Sequence, residues 1–359
     1  MRSGSWSAGE PVRGQGMVRP VTAGTRGASI RDVARAAGVS ISTVSRVVNG
    51  TAPVAPATRE RVEAAIEALG YRPSAIARQL ASRSSGTVGL LVPHLSDPAC
   101  AMVAEGVEAA ARARKLSVIL CQTGSCGEAE HLVRLAELRV AGVVVVASEP
   151  DGEEPRDGCY RTLAGEVPLV LAGTGAGAVR VDEREAGYLA AGHLLELGHE
   201  KLAFLGGSAG STVVRRRLEG IERALREAGM EYGSTLHLPG GSGFEDGRAA
   251  FGRLARREDR PTGLVCVSDL LAAGVLRAAA EMDLGVPEDL SVVGIDDVSL
   301  SRCFSPPLTT VARPLRELGR LAVEELVALM AGSEPGTCEL KPELVVRGST
   351  GPPDGREEG

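Results

Sequence analysis

Three side chains near the amino terminus, Ser42, Ser45 and Arg46, have the types and spacing used in DNA recognition. A helix that lies in the major groove needs short polar groups that can approach base edges and phosphates. An arginine on the same helix can bind guanine through two hydrogen bonds. Taken singly, each residue is more commonly explained by plain solvent exposure, so the prediction of DNA binding depends on the surrounding elements.

The surrounding segment, residues 30–50, has the spacing of a helix-turn-helix, and a third helix is predicted after it. Apolar residues fall on one face of each predicted helix. Capping residues precede these helices, and helix-breaking residues follow them. The signals are Ser29 and Gly38 for the first helix, Ser40 and Asn49-Gly50 for the second, and Pro56 and Gly70 for the third.

After Thr87 the pattern changes to short apolar strands that alternate with amphipathic helices. Strands that are apolar on both faces and separated by helices predict parallel sheets covered on each side. There are too many strands for one compact sheet, so two lobes are predicted, with ligands at the carboxyl ends of the strands. The predicted strands are 88–92, 118–121, 143–146, 169–171, 202–205, 264–267 and 292–295.

The charge of the chain is strongly asymmetric. Residues 1–86 carry 12 arginines and 5 acidic residues, a net of +7, whereas the remaining residues carry 28 basic and 41 acidic ones, a net of -13. A basic head attracts phosphate at one end of the molecule. No run approaches the roughly 18 to 20 apolar residues of a membrane span. Residues 1–27 lack the apolar stretch of a secretory signal, so we expect a disordered tail and a cytoplasmic protein.

Two glycine-rich segments suggest enzymes, and neither is favoured. Gly206-Gly207-Ser208-Ala209-Gly210 satisfies G-x-S-x-G, the spacing of a hydrolase nucleophile, but only His237 follows it as a candidate base. Glycine-rich turns at strand ends are far commoner than catalytic ones. The segment 173–177 fails the G-x-G-x-x-G spacing of dinucleotide binding. We therefore predict no catalytic residues and no cofactor.

The seven cysteines are scattered and form no C-x-x-C pair, which is typical of reduced thiols. Cys121, Cys126 and His131 form the only close cluster of metal-ligand types. Buried thiols on a strand and its following loop explain them better than a metal site. We therefore predict no bound metal.

Several separated motifs together closely resemble the lactose-repressor (LacI/GalR) family. The helix-turn-helix segment continues into Thr58-Arg59-Glu60-Arg61-Val62 and Leu69-Gly70-Tyr71-Arg72-Pro73. The resemblance covers residue 29 to about residue 349, with the motifs in the family's order and spacing. The core motifs are His193-Leu194-Leu195-Glu196-Leu197-Gly198-His199, Gly294-Ile295-Asp296-Asp297 and Ser305-Pro306-Pro307-Leu308-Thr309-Thr310-Val311.

The resemblance implies an α/β protein: an N-terminal three-helix helix-turn-helix head, a hinge helix, and a two-lobed core of parallel sheets that is similar to periplasmic binding proteins. The implied limits are a tail over 1–27, the head over 28–72, the hinge and linker over 73–86, the effector and dimerisation core over 87–349, and a tail over 350–359. Lobe 1 covers about 87–184 and 312–341, and lobe 2 about 185–311 and 342–349.

The resemblance also implies DNA contacts. Ile41 and Ser42 occupy base-reading positions at the start of the recognition helix, which Ser40 begins, and Arg46 lies one turn later. Ala55 stands where the family usually has serine, so a cap or phosphate contact is in doubt there. Thr43, Ser45, Asn49 and Thr58 match phosphate-binding positions.

The segment 73–80 resembles the family's hinge, which folds on the operator and enters the minor groove. Leu80 matches the apolar wedge between base pairs, and Ile76 matches the position that touches its twin in the second subunit. The alternative is that Leu80 packs on the core as an ordinary linker residue.

In the core, Arg217 and Asp296 match the family's polar effector ligands, which grip hydroxyls or an anionic group by charge-assisted hydrogen bonds. Other pocket positions depart from the family: Cys100, Ser242 and Ser268 stand where relatives often have aromatic or amide side chains. Aromatic faces commonly hold rings. Their loss implies a bulkier ligand, a different chemistry, or no small ligand at all, with a partner protein as the regulator instead.

The head and the core together predict a transcriptional regulator, most often a repressor in this family. We expect a homodimer on a near-palindromic stretch of double-stranded operator DNA, because twofold protein symmetry matches twofold DNA symmetry. A small-molecule effector, sugar-like or other, would change the orientation of the lobes and hence the operator affinity. A secreted solute-binding protein would explain the core but not the basic head.

Overall fold

The computed structural model describes residues 28–49, 52–71, 86–124, 128–146, 167–173, 177–208, 210–230 and 235–353. The chain divides into two compact units, 1–81 and 82–359. We call the described part of the first unit the head and that of the second unit the core. None of the helices in the described ranges is long and apolar enough to cross a membrane.

The head contains three helices, α1 (Ile30–Ala37), α2 (Ile41–Asn49) and α3 (Pro56–Leu69). The predicted ends of α1 are confirmed, and Gly70 ends α3 as predicted, whereas the break predicted at Gly50 lies outside the described residues. The side chain of Ser29 accepts a hydrogen bond from the Asp32 amide, and Gly38 ends α1 in the left-handed conformation at φ 65°. Val33, Val44 and Val62, one from each helix, are fully buried and form the centre of a small apolar core. The three helices therefore hold one another in place.

The first half of the core is built on a six-stranded parallel sheet, which we call sheet 1. Its order is β2 (Ser117–Gln122), β1 (Thr87–Val92), β3 (Gly142–Val146), β4 (Leu169–Ala172), β5 (Val179–Val181) and β11 (Cys338–Leu340). The helices α4 (Pro98–Ala113) and α10 (Leu315–Met330) pack on one face, and α5 (Glu128–Glu137) packs on the other. Sheet 1 and these helices form lobe 1.

The second half is built on sheet 2, which also has six strands. Its order is β7 (Thr235–Leu238), β6 (Leu202–Leu205), β8 (Gly263–Cys266), β9 (Ser291–Asp296), β10 (Thr309–Ala312) and β12 (Glu343–Val345), and only β12 is antiparallel to its neighbour. Sheet 2 forms lobe 2 with α6 (Glu183–Glu196), α7 (Thr212–Glu227), α8 (Phe244–Leu254) and α9 (Asp269–Glu281).

The chain passes between the lobes three times: between β5 and α6, between β10 and α10, and between β11 and β12. The carboxyl ends of the sheet 1 strands and those of β8 and β9 lie near these crossovers. Such a topology places a cleft between the lobes where strand ends and crossovers meet. We call the first two connections crossover 1 (residues 181–183) and crossover 2 (residues 312–315).

Two glycines set the distance between α6 and α7. A Cβ on Gly187 would lie 2.0 Å from the carbonyl oxygen of Arg217, and one on Gly220 would lie 1.9 Å from that of Arg184. Only glycine permits this approach of two backbones. The start of α6 at crossover 1 is thereby brought against the middle of α7.

All seven predicted strands are present. The structure also contains five strands that the sequence did not predict: β5, β7, β10, β11 and β12. They have three or four residues each, and β5, β11 and β12 each include a charged residue. Such short segments bury too few apolar residues to give a clear strand pattern.

Candidate DNA surface and interlobe cleft

The first turn of α2 presents a hydroxyl cluster to solvent. The side chain of Ser40 accepts a hydrogen bond from the Thr43 amide at 3.1 Å. Its Oγ also lies 2.8 Å from Ser42 Oγ and 2.8 Å from Thr43 Oγ1. Ile41 is 47% exposed beside this cluster, although its helix contributes other apolar residues to the core of the head. An apolar side chain is thus surrounded by hydrogen-bonding groups on an open surface.

The other predicted DNA-contacting residues differ in exposure. Arg46 is exposed in the last turn of α2, while Ser45 and Thr58 are half-buried. Asn49 ends α2, and its side chain lies outside the described residues. Ile76 and Leu80 also lie outside them. Ala55 precedes α3 without a side-chain cap, in agreement with the doubt about that position.

Two adjoining cavities of about 460 Å³ and about 430 Å³ lie in the cleft between the lobes. The structure brings the five predicted effector residues to their walls. Arg217 and Ser242 line both cavities, Ser268 and Asp296 line the larger one, and Cys100 lines the smaller one. No Phe, Tyr or Trp within the described ranges lines either cavity. The chemistry available for recognition therefore comes from polar and charged groups in both cavities and from aliphatic side chains such as Val103 and Leu318 in the smaller one.

A buried chain of alternating charges forms the base of the cleft. Glu183, the first residue of α6, accepts hydrogen bonds from Arg217 Nε at 2.8 Å and from Arg313 Nη2 at 2.7 Å. Arg313 Nη1 donates to Asp296 Oδ1 at 3.0 Å, and Arg217 Nη1 donates to the carbonyl of Val267 at 2.6 Å. The side chains of Glu183 and Arg217 are each 3% exposed. A buried ion-pair network of this kind depends on all of its members.

The geometry of this network determines how readily each of its side chains carries a charge. Burial alone would raise the pKa of Glu183, but Arg217 and Arg313 outweigh it and hold that pKa below its usual value. Burial opposes the charge of Arg313, yet Glu183 and Asp296 raise its pKa. Burial raises the pKa of Asp296 to about 6, although Arg313 and Arg217 act in the opposite direction. Glu183 is therefore the firmly charged carboxylate of the network.

A second buried carboxyl group, Asp269, lies next to the network at the start of α9. Its Oδ1 accepts a hydrogen bond from the Thr310 hydroxyl, and its Oδ2 accepts one from the Val298 amide at 2.8 Å. Burial, together with the nearby Asp296, raises its pKa to about 7. Asp269 thus fastens α9 to β10 and to the loop after β9.

The three remaining predicted effector residues have local partners. Ser268 caps α9 and donates a hydrogen bond to the Ser242 carbonyl at 2.7 Å. The Cys100 thiol donates to Asp97 Oδ2 at 3.6 Å, and burial raises its pKa to about 12. Asp97 itself caps α4 by accepting from the Ala99 amide. Ser268 and Cys100 therefore use their side chains within the wall of the cleft, whereas Ser242 contributes its backbone carbonyl.

Sequence reasoning missed Glu183 and Arg313. Each lies at a crossover, Glu183 two residues after the end of β5 and Arg313 directly after β10. Asp297, which directly follows β9, pairs with Arg347 and Ser301. Glu183 and Arg313 have opposite charges, and each follows a strand at which the chain passes from one lobe to the other. This pattern could have identified them, but it can be recognised only after the strands have been assigned to lobes.

Ser208 and His237, which suggested a hydrolase, each face a backbone group in the structure. Ser208 Oγ accepts a hydrogen bond from the Gly210 amide, whereas His237 Nε2 faces the carbonyl of Gly206 at 3.4 Å. Cys121 is half-buried rather than buried, because β2 is an edge strand. Cys126 and residues 174–176 of the glycine-rich segment lie outside the described residues. Within the described ranges, no group of three or more potential ligands could hold a metal ion.

Two family models match the chain. Residues 29–74 match the model described as bacterial regulatory proteins, lacI family, and residues 191–350 match a periplasmic binding protein-like domain. The HTH-type transcriptional repressor PurR of Vibrio vulnificus (strain CMCP6) is 36% identical over 329 residues, which are 89% of this chain and 98% of that protein.

Solved structures give the same result. The Lac repressor dimer bound to operator and the anti-inducer ONPF is similar with a TM-score of 0.80 and 29% identity, over 90% of this chain and 99% of that one. The complex of the transcriptional regulator CelR with cellobiose is similar with a TM-score of 0.67 and 33% identity, over the same shares of 90% and 99%. Head, core and sequence all agree: this chain belongs to the LacI family of DNA-binding transcriptional repressors, which are not enzymes.

Proposed function

We propose that this regulator binds a near-palindromic operator as a homodimer and represses transcription, and that an effector in the interlobe cleft changes its operator affinity. The observation that carries the proposal is the first turn of α2, where Ile41 is 47% exposed among the hydroxyls of Ser40, Ser42 and Thr43. A partner surface that offers both apolar and hydrogen-bonding groups would cover the isoleucine and pair with its polar neighbours.

The floor of the major groove is such a surface. Thymine presents a methyl group there, and every base pair presents donors and acceptors. Ile41 would contact a methyl group and Ser42 a base edge, while Arg46 would reach guanine or phosphate. Thr43, Ser45, Asn49 and Thr58 would bind phosphates, and Ile76 and Leu80 would act in the minor groove.

The homodimer is supported by apolar side chains that are exposed on both lobes. Within the described residues β2 and β7 are end strands of sheets 1 and 2, as are β11 and β12. Leu120 on β2 is 44% exposed, and Val133 on α5 is 51% exposed. In lobe 2, Met282 and Leu300 are 39% and 55% exposed. Exposed apolar residues on both lobes favour an interface that runs along the core, and a similar solved repressor is a dimer on its operator.

The effector is proposed to bind in the two cavities, in contact with Arg217 and Asp296 and beside Cys100, Ser242 and Ser268. Because crossovers 1 and 2 pass the base of the cleft, a ligand that prefers one lobe orientation would shift the balance between orientations. We propose the cytoplasm as the place of action, and the limits given above for head, hinge, core and tails as the domain boundaries.

The test is selection of bound sequences from a random duplex library by the full-length protein at moderate ionic strength. We expect one motif with twofold symmetry, and light scattering should give a dimer. Ser42→Ala and Arg46→Gln should each weaken binding to that motif by roughly ten- to a hundredfold. Ser333→Ala, an exposed serine after α10, is the control and should bind like the unchanged protein.

Several outcomes contradict the proposal. A protein that prefers no sequence over random duplex, or a monomer that binds a single half-site, would exclude operator binding by a homodimer. Adding a metabolite panel to the same assay tests the effector. A response to a second protein but to no metabolite would replace the small molecule by a protein co-regulator.

A further inference from the structure

The polar network of the cleft converges on Glu183, although this residue lines neither cavity. Its Oε2 accepts from Arg217, at 2.8 Å from Nε and 2.7 Å from Nη2, and its Oε1 accepts from Arg313 Nη2 at 2.7 Å. Within the described ranges it is the only carboxylate that pairs with both arginines. Two guanidinium groups that line both cavities are therefore oriented by one carboxylate that lies behind them.

Stability alone gives no reason for a charge at this position. Burying a carboxylate and two guanidinium groups is costly, and apolar residues of similar volume often replace a buried ion pair without loss of stability. What apolar residues cannot do is fix the direction of a guanidinium group. The Glu183 carboxylate does this for Arg217 and Arg313 at once, with one oxygen for each.

The position of Glu183 in the chain links this contact to the connections between the lobes. Glu183 lies on crossover 1, and its partner Arg313 lies on crossover 2. The amide of the preceding residue, Asp182, donates to the carbonyl of Leu340 at 2.9 Å. Leu340 ends β11, from which the chain passes between the lobes for the third time. The contacts of residues 182 and 183 thus reach all three connections, and such connections absorb the backbone changes when lobes reorient.

We infer that Glu183 is a positioning residue of the effector site. It orients Arg217 directly, and it orients Asp296 through Arg313, whose Nη1 donates to Asp296 Oδ1 at 3.0 Å. It also links the position of these side chains to the crossovers. This role rests on the proposed binding of an effector in the cleft, and it adds a route by which that binding would reach the crossovers.

The experiment measures how strongly a low-molecular-mass extract of the source cells changes the operator affinity of the full-length protein. The extract is added in steps, and fluorescence anisotropy of a labelled operator gives the amount needed for half of the full change. Glu183→Asp keeps the charge but withdraws the carboxylate by one methylene group, so that it no longer reaches both arginines. We expect this variant to need roughly tenfold more extract or more, because a hydrogen bond between charged groups is lost.

A second variant and a control separate positioning from stability. Glu183→Gln keeps the length of the side chain but removes the charge, and we expect a loss of response at least as large. The control is Leu254→Ala, because Leu254 is fully buried in the core of lobe 2 and lines neither cavity. This change destabilises the core about as much as breaking a buried ion pair. It should nevertheless respond to the extract like the unchanged protein.

The positioning role of Glu183 is overturned by three outcomes. Leu254→Ala could lose as much response as the Glu183 variants, so that the loss follows stability. Glu183→Asp could keep the full response. The extract could also leave the operator affinity of the unchanged protein unaltered, so that Glu183 has no effector site to serve. Operator selection uses no extract, and a symmetric operator found in that experiment would keep the proposed operator binding in each of these cases.

Discussion

The proposed DNA surface of the head and the proposed effector cleft of the core place their polar groups in opposite ways. In the head, Ser40, Ser42 and Thr43 are neighbours in sequence, and they hydrogen-bond to one another on an open surface. In the cleft, Glu183, Arg217 and Arg313 come from distant segments and pair in the interior. Polar groups on the surface are ready to bind at little cost in stability, whereas those in the cleft also hold the fold together.

Removing the shared carboxylate should have the largest effect on stability. Glu183→Gln leaves Arg217 and Arg313 buried without the charge that both use. We expect the free energy of unfolding of the core to fall by about 3–5 kcal/mol, because the uncompensated cations remain in the interior. Urea unfolding followed by circular dichroism measures this change.

The matched control is Glu63→Gln in the head, where the Arg59–Glu63 pair is 42% and 58% exposed. That change should cost less than about 1 kcal/mol, since exposed pairs contribute little. Equal losses in the two variants would remove the contrast between the head and the cleft.

The same contrast between the head and the cleft explains which features could be predicted from the sequence. The three head helices were predicted with their ends, because Ser29, Gly38 and Gly70 act within a few residues of themselves. The seven apolar strands were predicted because each is a short run of apolar residues, even though β2 is an edge strand with exposed side chains. In contrast, β5 and β11 are short, carry charges and pair only after the chain has crossed between lobes.

The cleft was predictable only in part. Arg217 and Asp296 were found through motifs that resemble the family, and the structure brings both to one cavity. Glu183 and Arg313 were not found, because their partners lie 17 to 130 positions away along the chain. Local spacing carries no information about such pairs. These ion pairs matter because they are buried, and their burial is known only after the two lobes have been assembled.

The second prediction concerns the close contact between α6 and α7, which brings Glu183 next to Arg217. Gly220→Ala places a Cβ 1.9 Å from the Arg184 carbonyl oxygen, so α6 and α7 must move apart. We expect a loss of about 1–3 kcal/mol in the unfolding free energy of the core. Gly192→Ala is the control on α6, since a Cβ there has nothing within 4 Å. It should be neutral or should stabilise the helix by up to about 1 kcal/mol, and the two variants can be compared by thermal unfolding.

The third prediction compares two helix starts within the head. Ser29→Ala removes the capping hydroxyl of α1 and should cost about 1 kcal/mol, whereas Ala55→Ser adds a cap to α3 and should gain about 0.5–1 kcal/mol. Amide hydrogen exchange of the head measures both changes. If Ala55→Ser has no effect on exchange in α3, the missing cap is not what limits the stability of that helix.

The smallest effect that we predict is a pH dependence of the core. Burial lowers the pKa of His193, whose Nε2 lies 2.9 Å from Thr350 Oγ1. The folded core therefore binds this proton less readily than the unfolded chain, whose histidine titrates near about 6.5. The stabilising contribution is fully present above that value and is lost as the pH falls from it through the lowered value of the folded state.

His193→Gln isolates this contribution, because glutamine can keep the hydrogen bond to Thr350 and cannot take up the proton. Asp269 and Asp296 titrate in the same range with the opposite sign, since burial raises the pKa of each, but they are present in both proteins and cancel in the comparison. We expect the unchanged protein to lose more stability than His193→Gln between pH 8 and pH 5.5 in urea unfolding. Parallel losses would mean that folding does not lower the pKa of His193. This half-buried imidazole would then take up a proton as readily in the folded core as in the unfolded chain.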